Sequence, residues 1–239
     1  MKRALVIQHM NSDHPGRFLD WFAEDGIIPH PVRVFEGQEM PSLAGFDLMF
    51  VLGGSQDTWQ EIDYPHLAME KAAIREWVWD RAKPYFGVCL GHQLLATALG
   101  GEVALAGKGE VGVFDVTLKA EEGGFFSGLT PQQRVMQWHH AEVKRVPQSG
   151  QVLASSADCA VQALAIDGHA LSTQFHCEFT PQTVATWRSI PSYMAVLEKE
   201  LGAGAYERLV EQSFPLMPEM ARNTRQVWEN FKAKSGLKT

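Results

Sequence analysis

Cys89 stands in the run Tyr85-Phe86-Gly87-Val88-Cys89-Leu90-Gly91-His92-Gln93, where an apolar segment gives way to one of helical character. A cysteine on a sharp strand-to-helix turn is exposed as a nucleophile, and the unpaired N–H groups of the helix N-terminus favour its thiolate. Gly87 and Gly91 flank it as such a turn requires, because its backbone segments pass too close for side chains. The competing reading is a buried structural cysteine between two packing glycines.

A thiolate that attacks a carbonyl needs a proton carrier and a place for the developing oxyanion. Gln174-Phe175-His176-Cys177-Glu178 follows an apolar run from Leu171. If the strand continues, His176 and Glu178 point the same way, so that Glu178 orients His176 while His176 moves the proton. Alone, His176 would read as a hydrogen-bonded histidine at a strand end; Cys89 and Glu178 reverse that preference. Leu52-Gly53-Gly54-Ser55 places two glycines where a strand ends. There the backbone N–H of Gly54, with that of Leu90, can form an oxyanion hole and Gly53 can approach a substrate. A plain strand-to-loop turn explains the Gly-Gly pair about as well.

These groups need a scaffold, and short apolar runs at Ala4–Gln8, Pro31–Phe35, Leu48–Leu52 and Tyr85–Val88 read as buried strands of a parallel sheet. Leu67, Ile74, Trp77 and Val78 share one face of a helix expected from near Pro65 to about Ala82, and a second helix is expected over Leu94–Leu99. From Val103 to Phe175 the turn signals Gly123-Gly124, Thr130-Pro131 and Asp167-Gly168 imply a more antiparallel section, with a last strand over Leu171–Phe175. Beyond Pro181 the pattern turns helical, with Met194, Leu197 and Leu201 on one stripe and Val227 and Phe231 on another. Such stripes pack against their own chain more often than against a partner. The expected organisation is an α/β unit over residues 1–181 with a helical extension over 182–239 packed on it.

Composition removes other classes. The 28 acidic and 21 basic residues give a formal charge of -7 without long runs of one sign, which argues against nucleic acid and anionic membranes as partners. The apolar stretch in MKRALVIQHM is shorter than the ~7 to 15 residues of a signal peptide's core. Nothing approaches the ~20 apolar residues of a membrane span. Three cysteines without a Cys-x-x-Cys pair suit neither a disulfide framework nor zinc, so a cytoplasmic location is expected. His9, His14, His30 and His66 are scattered without ligand spacing, so neither metal nor cofactor is expected. His9 and His14 follow the first strand at the same edge as Cys89 and read as a solvated loop rather than as pocket wall.

Taken together, Gly53-Gly54, Gly87-x-Cys89-x-Gly91-His92-Gln93 and His176-x-Glu178 resemble the class I glutamine amidotransferases, above all the glutaminase domain of GMP synthase and stand-alone relatives such as γ-glutamyl peptidases. The likeness covers roughly residues 45 to 180. It implies a flavodoxin-like fold, a γ-glutamyl thioester on Cys89 and release of ammonia or an amine. It also implies that Gln93 touches substrate, and that Gln137-Trp138-His139-His140-Ala141-Glu142 stands for the loop whose backbone holds the substrate's α-amino and carboxylate ends. Trp138, His139 and His140 are therefore candidate substrate contacts, and Glu110 and Gly112 match a Glu-x-Gly pair of the family. Two departures stand out. Cys177 replaces the proline common between the histidine and glutamate, and reads as buried filler; Ala141 occupies the position of a usual aspartate.

The expected activity is hydrolysis of a γ-glutamyl amide, from glutamine or from a γ-glutamyl peptide or amine, by a monomer or homodimer. The alternatives are a glutaminase subunit feeding ammonia to a separate synthase, since no Gly-rich phosphate loop follows Pro181, and an inactive binding domain of the same fold. A dienelactone-type hydrolase also uses Gly-x-Cys-x-Gly, but there the acid precedes the histidine in the chain, whereas Glu178 follows it.

Overall fold

The structure is a computed structural model and describes residues 1–237. Nine strands form one sheet in the order β2-β1-β3-β4-β9-β8-β7-β5-β6. They are β1 (Lys2–Gln8), β2 (Ile27–Arg33), β3 (Leu48–Val51), β4 (Tyr85–Val88), β5 (Glu102–Leu118), β6 (Gln132–Arg145), β7 (Gly150–Ser155), β8 (Ala163–Ile166) and β9 (Ala170–Thr173). The first five in spatial order pair in parallel and the rest antiparallel, which makes the α/β, flavodoxin-like sheet with an antiparallel section.

The central strands are apolar throughout because both faces are covered. Ala4, Val6, Leu48, Phe50, Phe86 and Val88 point into one core layer, while Leu5, Ile7, Met49, Val51 and Tyr85 point into the other. Helix α1 (Phe18–Glu24) covers the first layer, and α2 (His66–Arg75) and α3 (Leu90–Ala98) cover the second. The helices α4 (Pro181–Arg188), α5 (Pro191–Leu201), α6 (Ala205–Ser213) and α7 (Met217–Ser235) follow. Thr180 and Thr183 cap α4 reciprocally, which explains the abrupt change to helix at Pro181. Val184, Trp187, Leu197 and Leu209 gather around Met136 and Phe179, while Val227, Trp228 and Phe231 of α7 enter the same core layer as Phe18, Phe50 and Phe86. Leu197, Val227 and Phe231 are thus buried against their own chain, Met194 is partly buried, and Leu201 at the end of α5 is exposed. Among the described residues no helix is long and apolar enough to cross a membrane.

Several boundaries differ from the sequence expectation. The second strand is Ile27–Arg33 rather than Pro31–Phe35; it is an edge strand, where Pro29 and Pro31 cost no ladder bonds. The helix expected to about Ala82 is α-helical only to Arg75 and continues as a π-helical turn over Glu76–Asp80. The helix expected from Leu94 begins at Leu90, directly on the cysteine. The last strand ends at Thr173 rather than Phe175, so His176 lies outside the ladder and is held by its N–H donating to Met136 O at 2.9 Å.

Candidate active site

Strand β4 delivers Cys89 to the carboxyl edge of the sheet, and α3 starts on the next residue. Cys89 has φ 52° and ψ -103°, a conformation that L-residues avoid, and its N–H donates to Thr173 O of β9 at 2.8 Å. Gly91 permits the turn: a Cβ there would lie 2.3 Å from the Val51 carbonyl oxygen of β3. Cys89 is 6% exposed.

His176 faces it. A Cβ built on Gly53 would lie 3.3 Å from His176 Cε1 and 3.5 Å from Cys89 Cβ, so the three residues enclose one small space. Glu178 Oε1 is 2.6 Å from His176 Nδ1, and both side chains are largely buried. Burial alone would discharge the imidazole, but Glu178 and the Cys89 sulfur outweigh it and raise its pKa well above the usual histidine value. An imidazolium held between a carboxylate and a sulfur can donate a proton to a leaving group. The two-residue spacing therefore brings His176 and Glu178 together even though the strand has ended.

A cleft with about 800 Å3 between its walls, open to solvent, lies beside Cys89. Gly54 and Leu90 border it next to the sulfur, and Gln93, Trp138, His139 and His140 also line it. Gln93 is fixed from behind, its amide donating to Ala141 O and to Gln174 Oε1, both at 3.0 Å. The His139 ring is engaged on both nitrogens, by Ala141 O at 3.0 Å and by Glu110 Oε2 at 2.9 Å, and so braces the loop. Glu110 stays ionised despite burial because His139, Ser156 and Gln162 hydrogen-bond it. His140 is exposed and meets Asp57 at 3.0 Å. Cys177, expected to be buried, is partly buried, packed against the core with Thr173 Oγ1 3.7 Å from its sulfur, and desolvation raises its thiol.

Five residues at or beside the site have no role in the sequence reading. Gln174 points its amide at the Cys89 sulfur, at 3.7 Å. Asp13 lies 3.7 Å from the same Gly53 Cβ position, and burial pushes its carboxyl up to about 6 against the opposing pull of His176. Tyr193 of α5 closes the cleft, its ring 5.4 Å from that of Trp138. His9 is not in the solvated loop that its position after the first strand implies; it is 1% exposed, because Gly53 O and Glu70 supply partners for both ring nitrogens inside the core. Arg17 ties this edge together, its N–H donating to Glu178 O at 3.0 Å and its guanidinium to Phe179 O. A basic residue before an apolar helix gives no hint of such a role.

The class I glutamine amidotransferase family model matches residues 26–186. The chain is 33% identical over 148 residues to the glutamine-hydrolysing GMP synthase subunit of Sulfolobus acidocaldarius, covering 62% of this chain and 75% of that protein. It is 27% identical over 172 residues to γ-glutamyl peptidase 5 of Arabidopsis thaliana, covering 69% and 67%. Among solved structures, a glutamine amidotransferase from Thermotoga maritima superimposes with a TM-score of 0.86 at 27% identity, over 96% of this chain and 97% of that one.

Proposed function

We propose that this chain, which belongs to the class I glutamine amidotransferases, is a cysteine amidase that cleaves γ-glutamyl amide bonds with Cys89, His176 and Glu178 as its triad. The observation that carries the reading is the strained Cys89 facing the buried His176–Glu178 pair across Gly53. The Cys89 sulfur adds to the amide carbonyl carbon, and the oxyanion is taken up by the N–H groups of Gly54 and Leu90. The C–N bond breaks as His176 gives its proton to the leaving nitrogen, and a γ-glutamyl thioester remains. His176 then takes a proton from water, which attacks the thioester; glutamate leaves and the cysteine returns. Glu178 orients the imidazole and holds its charge without breaking a bond. Gln93, Gly53 and the loop with Trp138, His139 and His140 form the acyl-group wall, and Tyr193 narrows it.

Two leaving groups fit this chemistry. Likeness to a γ-glutamyl peptidase favours a peptide or amine released to solvent, and the aromatic wall of Trp138 and Tyr193 suits a substrate larger than glutamine. Likeness to a GMP synthase subunit favours glutamine, with ammonia passing to a separate synthase. Glutamate release by the purified chain from glutamine, glutathione and a set of γ-glutamyl amines decides between them. Fast turnover of a peptide or amine with little on glutamine supports the autonomous hydrolase. The reverse preference supports the synthase partner, and turnover that survives in Cys89→Ala refutes the mechanism.

A further inference from the structure

We infer that the buried pair His9–Glu70 sets the oxyanion hole by holding the Gly53–Gly54 peptide in one of its two orientations. The inference rests on the preceding reading that the Gly54 N–H receives the oxyanion. A trans peptide is planar, so the Gly53 carbonyl and the Gly54 N–H belong to one plate and point in opposite directions. A plate between two glycines meets little steric resistance to turning over, and a turned plate would present a carbonyl oxygen to the developing negative charge. His9 Nδ1 lies 2.8 Å from Gly53 O, and a carbonyl can only accept, so the imidazole donates and fixes that face of the plate away from the cleft. His9 Nε2 lies 2.7 Å from Glu70 Oε2, which fixes the ring in turn.

Both side chains are fully buried, at 0% exposure; His9 directly follows β1 and Glu70 lies on α2, 61 residues along the chain. Burial opposes a charge on His9, yet Glu70 overcomes it and raises the imidazole's pKa. A buried ion pair is a poor source of stability, since apolar residues of similar volume do as well or better, so its value here is geometric. Crowding at Gly54 supports the same role. A Cβ there would meet His9 Cβ at 2.7 Å and Leu90 Cδ2 at 2.8 Å, so His9 packs directly on the residue whose N–H is to be aimed.

The test separates carbonyl chemistry from simple thiol reactivity on the full chain. p-Nitrophenyl acetate acylates Cys89 through a tetrahedral oxyanion, whereas iodoacetamide alkylates the same sulfur without one; neither needs γ-glutamyl recognition. His9→Leu should slow the acylation burst at least tenfold while alkylation stays within twofold of wild type. The double variant His9→Leu/Glu70→Leu, which leaves no charge stranded in the core, should behave in the same way. His9→Asn, whose amide nitrogen takes the place of Nδ1, should recover at least a third of the acylation rate. Equal rates for wild type and both leucine variants, or acylation and alkylation falling together in both, overturns the inference. A burst that persists in Cys89→Ala would instead overturn the nucleophile assignment beneath it.

Discussion

Replacing Cys89 by glycine should remove all activity and yet leave a chain more stable than Cys89→Ala. At φ 52° and ψ -103° every residue with a Cβ is strained, and alanine inherits that strain in full. Strained backbone of this kind costs on the order of 1–3 kcal/mol. Glycine escapes it but adds chain entropy to the unfolded state, worth about 0.5–1 kcal/mol, and gives up a buried methyl worth roughly 0.5 kcal/mol. At the middle of these ranges the balance favours glycine by about 0.5–1 kcal/mol, whereas without the strain the same terms would favour alanine by about 1–1.5 kcal/mol. Both variants lack the thiol and are compared without substrate, so turnover does not bias the comparison. Urea unfolding followed by tryptophan fluorescence, with a slope of about 3 kcal/mol/M, should place the Cys89→Gly midpoint about 0.2–0.3 M above that of Cys89→Ala. An alanine variant more stable than the glycine variant by about 1 kcal/mol or more would show that the junction carries no strain, and that the nucleophile is not held by the turn.

His176→Ala should lower kcat/KM by at least a thousandfold. Glu178→Gln, which keeps an acceptor for Nδ1 but loses the charge, should cost about ten- to a hundredfold, and a loss equal to that of Cys89→Ala would assign Glu178 a different role. Gly91→Ala drives a methyl to within 2.3 Å of the Val51 carbonyl. The helix must shift by about 1 Å, which should cost about 1–3 kcal/mol of stability and about a hundredfold in kcat; activity within threefold of wild type would refute the close approach. Asp13 has a carboxyl raised by burial from 3.8 to about 6, so the folded chain holds that proton more tightly than the unfolded one does. Its contribution to stability is therefore present below about pH 4 and lost as pH rises through 6. Wild type should lose about 1 kcal/mol relative to Asp13→Asn between pH 4 and 6.5 in urea titrations, a discounted figure because the site is partly open to solvent. A constant difference across that range would refute it.

The segment around Cys89 is legible in the amino-acid order because everything it needs is local: an apolar strand, two small residues and a helix start within about ten positions. The His176–Glu178 pair is legible for the same reason, and it survives the early end of the strand because the two rely on each other across two residues. Both core layers can be read from the alternation in β1, β3 and β4, since a strand's side-chain period does not depend on where its partners lie. The second strand is misplaced in the sequence because its prolines mask it, and only its position at the sheet edge, a property of the assembled sheet, makes them harmless. His9, Asp13, Gln174 and Tyr193 escape a reading of residue order because their partners sit far away along the chain; His9 touches Gly53 across 44 residues and Gln174 touches Cys89 across 85. Residue order alone determined which side chains are the candidates for the proposed chemistry, because a strained turn and a hydrogen-bonded neighbour act over a few bonds. Which groups aim, charge and enclose them was decided only by tertiary structure, because a carboxylate or an amide acts over a few ångströms of space and the chain's path alone brings it there.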